Sequence, residues 1–211
     1  MSPHSSPKQS PDPLSDQSTG HSAKPDIRKS NACPPLPAQA SLLDKVVYWL
    51  GIGLGSGLPK RAPGTWGTLG GVIVALPLMQ LGFIAFFSIT MIASVIGIAI
   101  CERTSNLMQV HDDPHIVWDE WAGMWLSLLP LSFIISYTPE YLTPEYYWLA
   151  VVLAFILFRI FDIAKPNPIK WADEKLTGGL GIMMDDILAG IISLVAWMMI
   201  VASIVMFYPA A

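Results

Sequence analysis

The chain has 211 residues, of which 53% are hydrophobic and only 13% charged, and its formal net charge is -4. That composition is unusual for a soluble domain and points to the bilayer as the solvent, and the lack of any Lys/Arg-rich run excludes a nucleic-acid partner. The two cysteines, Cys33 and Cys101, sit one in a polar tail and one at the end of an apolar run, which argues against a disulfide framework; neither begins a Cys-x5-Arg phosphate loop.

Residues 1–40 contain 16 Ser or Pro and almost no large apolar residues. They bury too little surface to offset chain entropy and are expected to form a disordered tail, with a membrane-embedded domain over 41–211. No apolar stretch ending at a small-residue cleavage site marks the tail as a secretory signal. Ser41-Leu42-Leu43-Asp44-Lys45 reads as a helix start, and Leu43, Val46, Val47 and Leu50 recur at helical spacing, predicting a short interfacial helix. Gly51, Gly53, Gly55 and Gly57 then break the periodicity, and a second helix is expected to start at Gly64–Thr68.

Leu69 to Ile100 is a run of 32 residues without a charge. That is longer than the roughly 20 residues needed for one crossing and short for two, so Pro77, Gln80 and Gly82 predict a re-entrant hairpin or a broken helix. Three more apolar runs follow, Trp121–Ser136, Trp148–Phe161 and Ile187–Tyr208. Trp121, Trp125, Tyr137, Tyr147 and Trp148 at the ends of the first two are expected at headgroup level. The fold class is therefore all-α, a multi-pass membrane helical bundle. The loop 138–147 and the C-terminus after Ile187 lack Lys and Arg, which places them outside and the remaining loops in the cytoplasm. Three polar segments, 56–68, 103–120 and 159–186, then meet at the cytoplasmic face.

These segments hold the candidate chemistry. Asp119/Glu120 and Asp185/Asp186 are each expected to open an apolar helix, where negative charge complements the helix dipole. Dipole complement explains a lone carboxylate, but two pairs beside hydrocarbon need a partner, because each costs about 2.5–3.5 kcal/mol on insertion scales. Hard oxygen ligands without a His/Cys pattern suit Mg2+ or Mn2+ rather than zinc, so all four acids are candidate metal ligands. Arg159, Asp162 and Lys165 recur every three residues on one helix face, either as a salt-bridge ladder or as part of the site. Lys60 and Thr65, beside a glycine-rich turn, are candidates for holding a phosphate together with Arg159 and Lys165. His111 is a candidate proton carrier within the loop cluster His111, Asp112, Asp113 and His115.

The stretches GSGLPKRAPGTWGTLGG, VHDDPHIVWDEWAGMW and FRIFDIAKPNPIKWADEKLTGGLGIMMDDILAG resemble, in order and spacing, the signature blocks of the phosphatidylglycerophosphatase A family, from about Ser41 to the C-terminus. The resemblance implies a bacterial inner-membrane enzyme that uses Mg2+ to hydrolyse phosphatidylglycerophosphate to phosphatidylglycerol and inorganic phosphate in phospholipid biosynthesis, on the cytoplasmic leaflet. It matches Lys60, Thr65, His111, Asp119, Glu120, Arg159, Asp162, Lys165, Asp185 and Asp186 to the family's polar blocks. The implied partners are the phospholipid and the membrane, with no obligate protein partner. Water or a carboxylate could serve as nucleophile. The competing reading is a cation or proton transporter, since acids paired with Arg and Lys inside a membrane also line ion pathways.

Overall fold

The computed structural model describes residues 32–207, and these form seven α-helices joined by short connections, with no strand among the described residues. Most of the expected disordered tail lies outside this range. Its last residues are described, and Pro34 is already buried, its carbonyl accepting a hydrogen bond from the Tyr48 hydroxyl at 2.7 Å.

Helix α1 (Leu42–Gly51) starts where the sequence indicates, through a reciprocal cap. The Ser41 hydroxyl accepts from the Asp44 amide at 3.2 Å, and the Asp44 carboxylate accepts from the Ser41 amide at 3.0 Å. Its outer face exposes Leu42, Leu43, Val46 and Trp49. Ten residues are too short to cross a bilayer, and an exposed apolar face on a short helix suits one lying along the membrane surface.

The charge-free run folds as two helices, α2 (Pro63–Met79) and α3 (Phe83–Met108). Pro77 stays inside the last turn of α2, and the break falls at Gly82, whose φ of 92° is a conformation that favours glycine. The turn is pinned to the last turn of the helix that follows α3, because the Phe83 amide donates to the Ser136 hydroxyl at 2.8 Å.

Helix α4 (Trp118–Tyr137) is the hub, packed against α2, α3, α5 (Pro144–Ala164) and α7 (Gly178–Phe207). Every residue from Trp118 to Leu129 is buried. This corrects the placement of Trp121 and Trp125 at headgroup level. They are 3% and 4% exposed, and together with Trp118 they tie α4 to its neighbours. The Trp125 indole donates to the Gly71 carbonyl at 2.8 Å, Trp118 to Ala93 at 3.1 Å, and Trp121 to the Ser56 hydroxyl at 3.3 Å. An indole N–H inside the bundle needs an acceptor, and neighbouring helices supply it. Tyr137 and Trp148 remain exposed.

Helices α3, α5 and α7 are each long and apolar enough to cross a membrane. Between α4 and α7 the backbones touch at Gly123 and Gly190, where an added Cβ would collide with the opposite chain. In a bilayer, where apolar surface gains little by leaving lipid, such close approach through small residues supplies much of the helix association. The crossing sets Asp119 and Glu120 of α4 opposite Asp185 and Asp186 of α7.

The short helix α6 (Ile169–Lys175) follows Pro166 and Pro168, which keep α5 from continuing beyond Ala164. Helix α7 corrects another expectation. It begins at Gly178, with Gly179 and Gly181 in its first turn, so Asp185 and Asp186 sit about two turns inside the helix and do not open it. The carboxylate at the start of α7 comes from α3 instead, where Glu102 accepts from the Gly179 amide. Gly179 lies against the Ile98 carbonyl and Glu102, and this close seat explains glycine where a helix would ordinarily avoid it.

Candidate active site

The starts of α2, α4 and α7 and the ends of α3 and α5 gather at one end of the bundle, and this end carries the acidic and basic residues. Asp119 and Glu120 lie in the first turn of α4, 6% and 9% exposed, as the sequence indicates. Asp119 accepts from the Glu120 amide at 3.0 Å. Asp186 is buried too, while Asp185 is partly buried and accepts from the Asp186 amide at 3.1 Å.

Arg159 is the cation at the centre. Its Nη1 lies 2.5 Å from Asp162 one turn along α5, 3.9 Å from Glu120 Oε1 of α4, and 3.3 Å from the Thr68 hydroxyl of α2, to which it donates. Three helices converge on one guanidinium. Gly64 faces the same spot, where an added Cβ would strike Glu120 Oε1 and come within 3.5 Å of Arg159 Nη1, so the absence of a side chain leaves room beside the pair. Arg159 and Asp162 are therefore an ion pair and also part of the site.

Lys165 departs from the expected helix row. It is the C-cap of α5, with φ 41°, and the chain turns there. Its ammonium reaches Asp173 of α6 at 2.6 Å and Asp185 of α7 at 2.8 Å. Burial works against its charge, but the bonds to Asp173 and Asp185 outweigh that penalty and hold its pKa well above the ordinary lysine value. Lys165 thus braces three helices and compensates Asp185.

Lys60 and Thr65 are exposed and stand outside this set of contacts. Helix α2 starts at Pro63, after Ala62 in a left-handed conformation and with no side-chain cap, so Thr65 caps nothing. Thr68, one turn further along, is the threonine that reaches the site. His111 is exposed on the loop, whereas His115 is buried, with Nδ1 at 2.7 Å from Asp113 Oδ1. Asp112, of the same loop cluster, places its charge within reach of Asp119, Glu120 and Asp185.

The electrostatic balance of this end is lopsided. Asp119, Glu120, Asp162, Asp185 and Asp186 lie within one another's field, while Arg159 and Lys165 are the two cations in direct contact with them. Glu120 Oε2, Asp186 Oδ1 and Arg159 Nε are buried without a hydrogen-bond partner. Unpaired buried polar atoms cost about 1–3 kcal/mol each, more when charged, and call for a ligand. No three His, Cys, Asp or Glu side chains among the described residues are arranged as a preformed metal cage. The donor chemistry nonetheless fits Mg2+, which keeps several waters and takes one or two carboxylates plus substrate phosphate.

Fold and site together define a helical bundle of membrane type with a crowded acidic cluster at one end, held around Arg159 and Lys165. The family model for phosphatidylglycerophosphatase A matches residues 49–201, and the chain belongs to that family of lipid phosphatases. It is 41% identical over 156 residues to the phosphatidylglycerophosphatase A of Haemophilus influenzae, covering 74% of this chain and 88% of the relative. With the Escherichia coli protein of the same name it shares 40% identity over 146 residues, 69% of this chain and 78% of the relative. It also shares 35% identity over 151 residues, 69% of this chain and 87% of the relative, with a Bacteroides thetaiotaomicron protein provisionally named a phosphatidylinositol-3-phosphatase. No solved structure matches the chain.

Proposed function

We propose that this protein hydrolyses phosphatidylglycerophosphate to phosphatidylglycerol and inorganic phosphate, as a Mg2+-dependent step of phospholipid biosynthesis at the cytoplasmic face of the bacterial inner membrane. The observation that carries the reading is Arg159, held between Glu120, Asp162 and Thr68 with its Nε still unpartnered. A planar, permanently charged fork in a sunken polar site is suited to grip a phosphoryl group. The names of the Haemophilus influenzae and Escherichia coli relatives support the substrate.

Arg159 binds the phosphoryl oxygens and offsets charge as the bond to the lipid oxygen breaks. A neighbouring carboxylate takes a proton from the attacking water, whose oxygen ends in inorganic phosphate; the lipid oxygen leaves as the alcohol after gaining a proton. Glu120, Asp186 and Asp119 are the residues to hold Mg2+, which when bound supplies neutralisation of the phosphate charge. Lys165 keeps Asp185 and the ends of α5, α6 and α7 in register. Cytoplasmic orientation rests on the basic residues Lys60, Arg61, Arg103, Lys170 and Lys175 at the site end of the bundle.

The test is phosphate release by detergent-purified protein from phosphatidylglycerophosphate, phosphatidic acid and phosphatidylinositol 3-phosphate, with Mg2+ or with chelator. The proposal expects the first lipid to be preferred and chelator to abolish turnover. Preference for the inositol lipid would transfer the reading to the activity named for the Bacteroides relative, and turnover undiminished in chelator would remove Mg2+ from it.

A further inference from the structure

The protein occupies only one corner of the Arg159 guanidinium. Every contact it makes with the described residues runs through Nη1, which lies 2.5 Å from the Asp162 carboxylate, 3.9 Å from Glu120 Oε1 and 3.3 Å from the Thr68 hydroxyl. Nε is buried with no hydrogen-bond partner, and Nη2 takes none among the described residues. In a guanidinium the Nε–H and one Nη2–H point the same way, side by side. Together they form an edge that matches two oxygens of one phosphoryl group.

Thr68 bears on which edge is left over. It is fully buried on α2, and its hydroxyl donates to the Gly64 carbonyl at 2.9 Å. A hydroxyl has a single hydrogen, so what it turns toward Nη1 is a lone pair, and Arg159 is the donor across that contact. Arg159 belongs to α5, so this bond joins two helices at the guanidinium itself. With Asp162 one turn along α5, it holds a long, rotamer-rich side chain in one orientation, with Nη1 turned to the protein and the Nε/Nη2 edge left open to a ligand.

We infer that Arg159 receives the phosphoryl group on its Nε/Nη2 edge and that Thr68 is the positioning residue that fixes that edge. The inference deepens the phosphatase reading and rests on it. Thr68 acts through Arg159 rather than on the substrate, and the Gly64 carbonyl acts in turn by fixing the hydroxyl. Valine at position 68 would nearly keep the shape and lose the lone pair, serine would keep the lone pair and lose only a methyl group, and lysine at position 159 would keep the charge and lose the edge.

The test measures kcat/KM for phosphatidylglycerophosphate per folded molecule in detergent micelles, for the wild type, Thr68→Val, Thr68→Ser and Arg159→Lys. Thr68→Val is expected to lower kcat/KM about tenfold, the worth of one hydrogen bond to a charged group, and Thr68→Ser to restore most of that loss. A role confined to packing of the threonine methyl would give no such rescue. Arg159→Lys is expected to lose about 100-fold despite its positive charge. Thr68→Val with wild-type kcat/KM, or Thr68→Ser as impaired as Thr68→Val, would overturn the positioning role. Arg159→Lys with wild-type kcat/KM would overturn the grip by the Nε/Nη2 edge. Wild-type protein that releases no phosphate from this lipid would instead overturn the phosphatase reading beneath it.

Discussion

The two ends of this bundle are built from the same helices and solve opposite problems. At the far end, where α3 begins and α4 finishes, the rings of Phe83, Phe133 and Tyr137 pack with centroids 4.8–6.1 Å apart. An apolar cavity of about 490 Å³ opens there between α3, α4 and α7. At the near end the same α4 and α7 carry buried carboxylates, and Glu120, Asp186 and Arg159 each keep a polar atom without a partner. Deeper in the bundle the unpartnered atoms are two serine hydroxyls, at Ser132 and Ser193. The difference teaches where stability has been given up. The far end is apolar and leaves no charge to satisfy, and the near end tolerates charge crowding that a ligand would relieve.

Substitutions can break that contrast. Arg159→Met should have the largest effect, lowering kcat/KM by about 10²–10³, as expected when a preorganised charge-stabilising group is removed. It should also destabilise the protein, because the buried Glu120 and the partly buried Asp162 are left beside no cation. Phosphate release and thermal unfolding on one detergent preparation would check both. Phe86→Ala at the far end should do the reverse. Phe86 is fully buried against Trp125, and its loss should cost about 3 kcal/mol in unfolding while kcat per folded molecule stays within twofold.

A smaller, pH-dependent effect belongs to Lys165→Met. The lysine is partly exposed, so its bridge is worth only about 1 kcal/mol. Its pKa is raised in the folded protein, so the bridge contributes in full below the ordinary lysine pKa and fades as pH rises through the elevated folded value. The stability gap between wild type and Lys165→Met, measured by chemical unfolding, should therefore be flat from about pH 7 to 9 and shrink only at more alkaline pH. A gap that closed near neutrality would mean that Lys165 is not held by Asp173 and Asp185.

The near end was partly legible in the sequence because charge inside apolar runs is conspicuous. Asp119 and Glu120 at the start of α4 and the Arg159–Asp162 spacing follow from periodicity and cost, as does the hairpin around Gly82 at the far end. What escaped did so for physical reasons. Lys165 leaves the helix row because its backbone turns left-handed, and its partners lie 8 and 20 residues away, beyond any local pattern. The start of α7 at Gly178 was hidden because helix propensity disfavours glycine, yet the close seat of Gly179 on Ile98 and Glu102 overrides propensity. The tryptophans of α4 read as membrane anchors, but acceptors for their indoles lie on α2, α3 and the turn before α2, which only the tertiary fold reveals. Thr65 and Thr68 differ by one helical turn, and the start of α2 at Pro63 decides which of them faces Arg159.

Asp186 tests the contrast between the ends most directly. It is buried, and its Oδ1 has no partner, so Asp186→Asn keeps the shape and removes only the charge. Phosphate release from phosphatidylglycerophosphate and the unfolding midpoint should be measured on the same purified sample. The account predicts a loss of activity of about 100-fold or more with a midpoint equal to or above that of the wild type. Full activity in that variant, or a loss of activity that merely tracks unfolding, would contradict it.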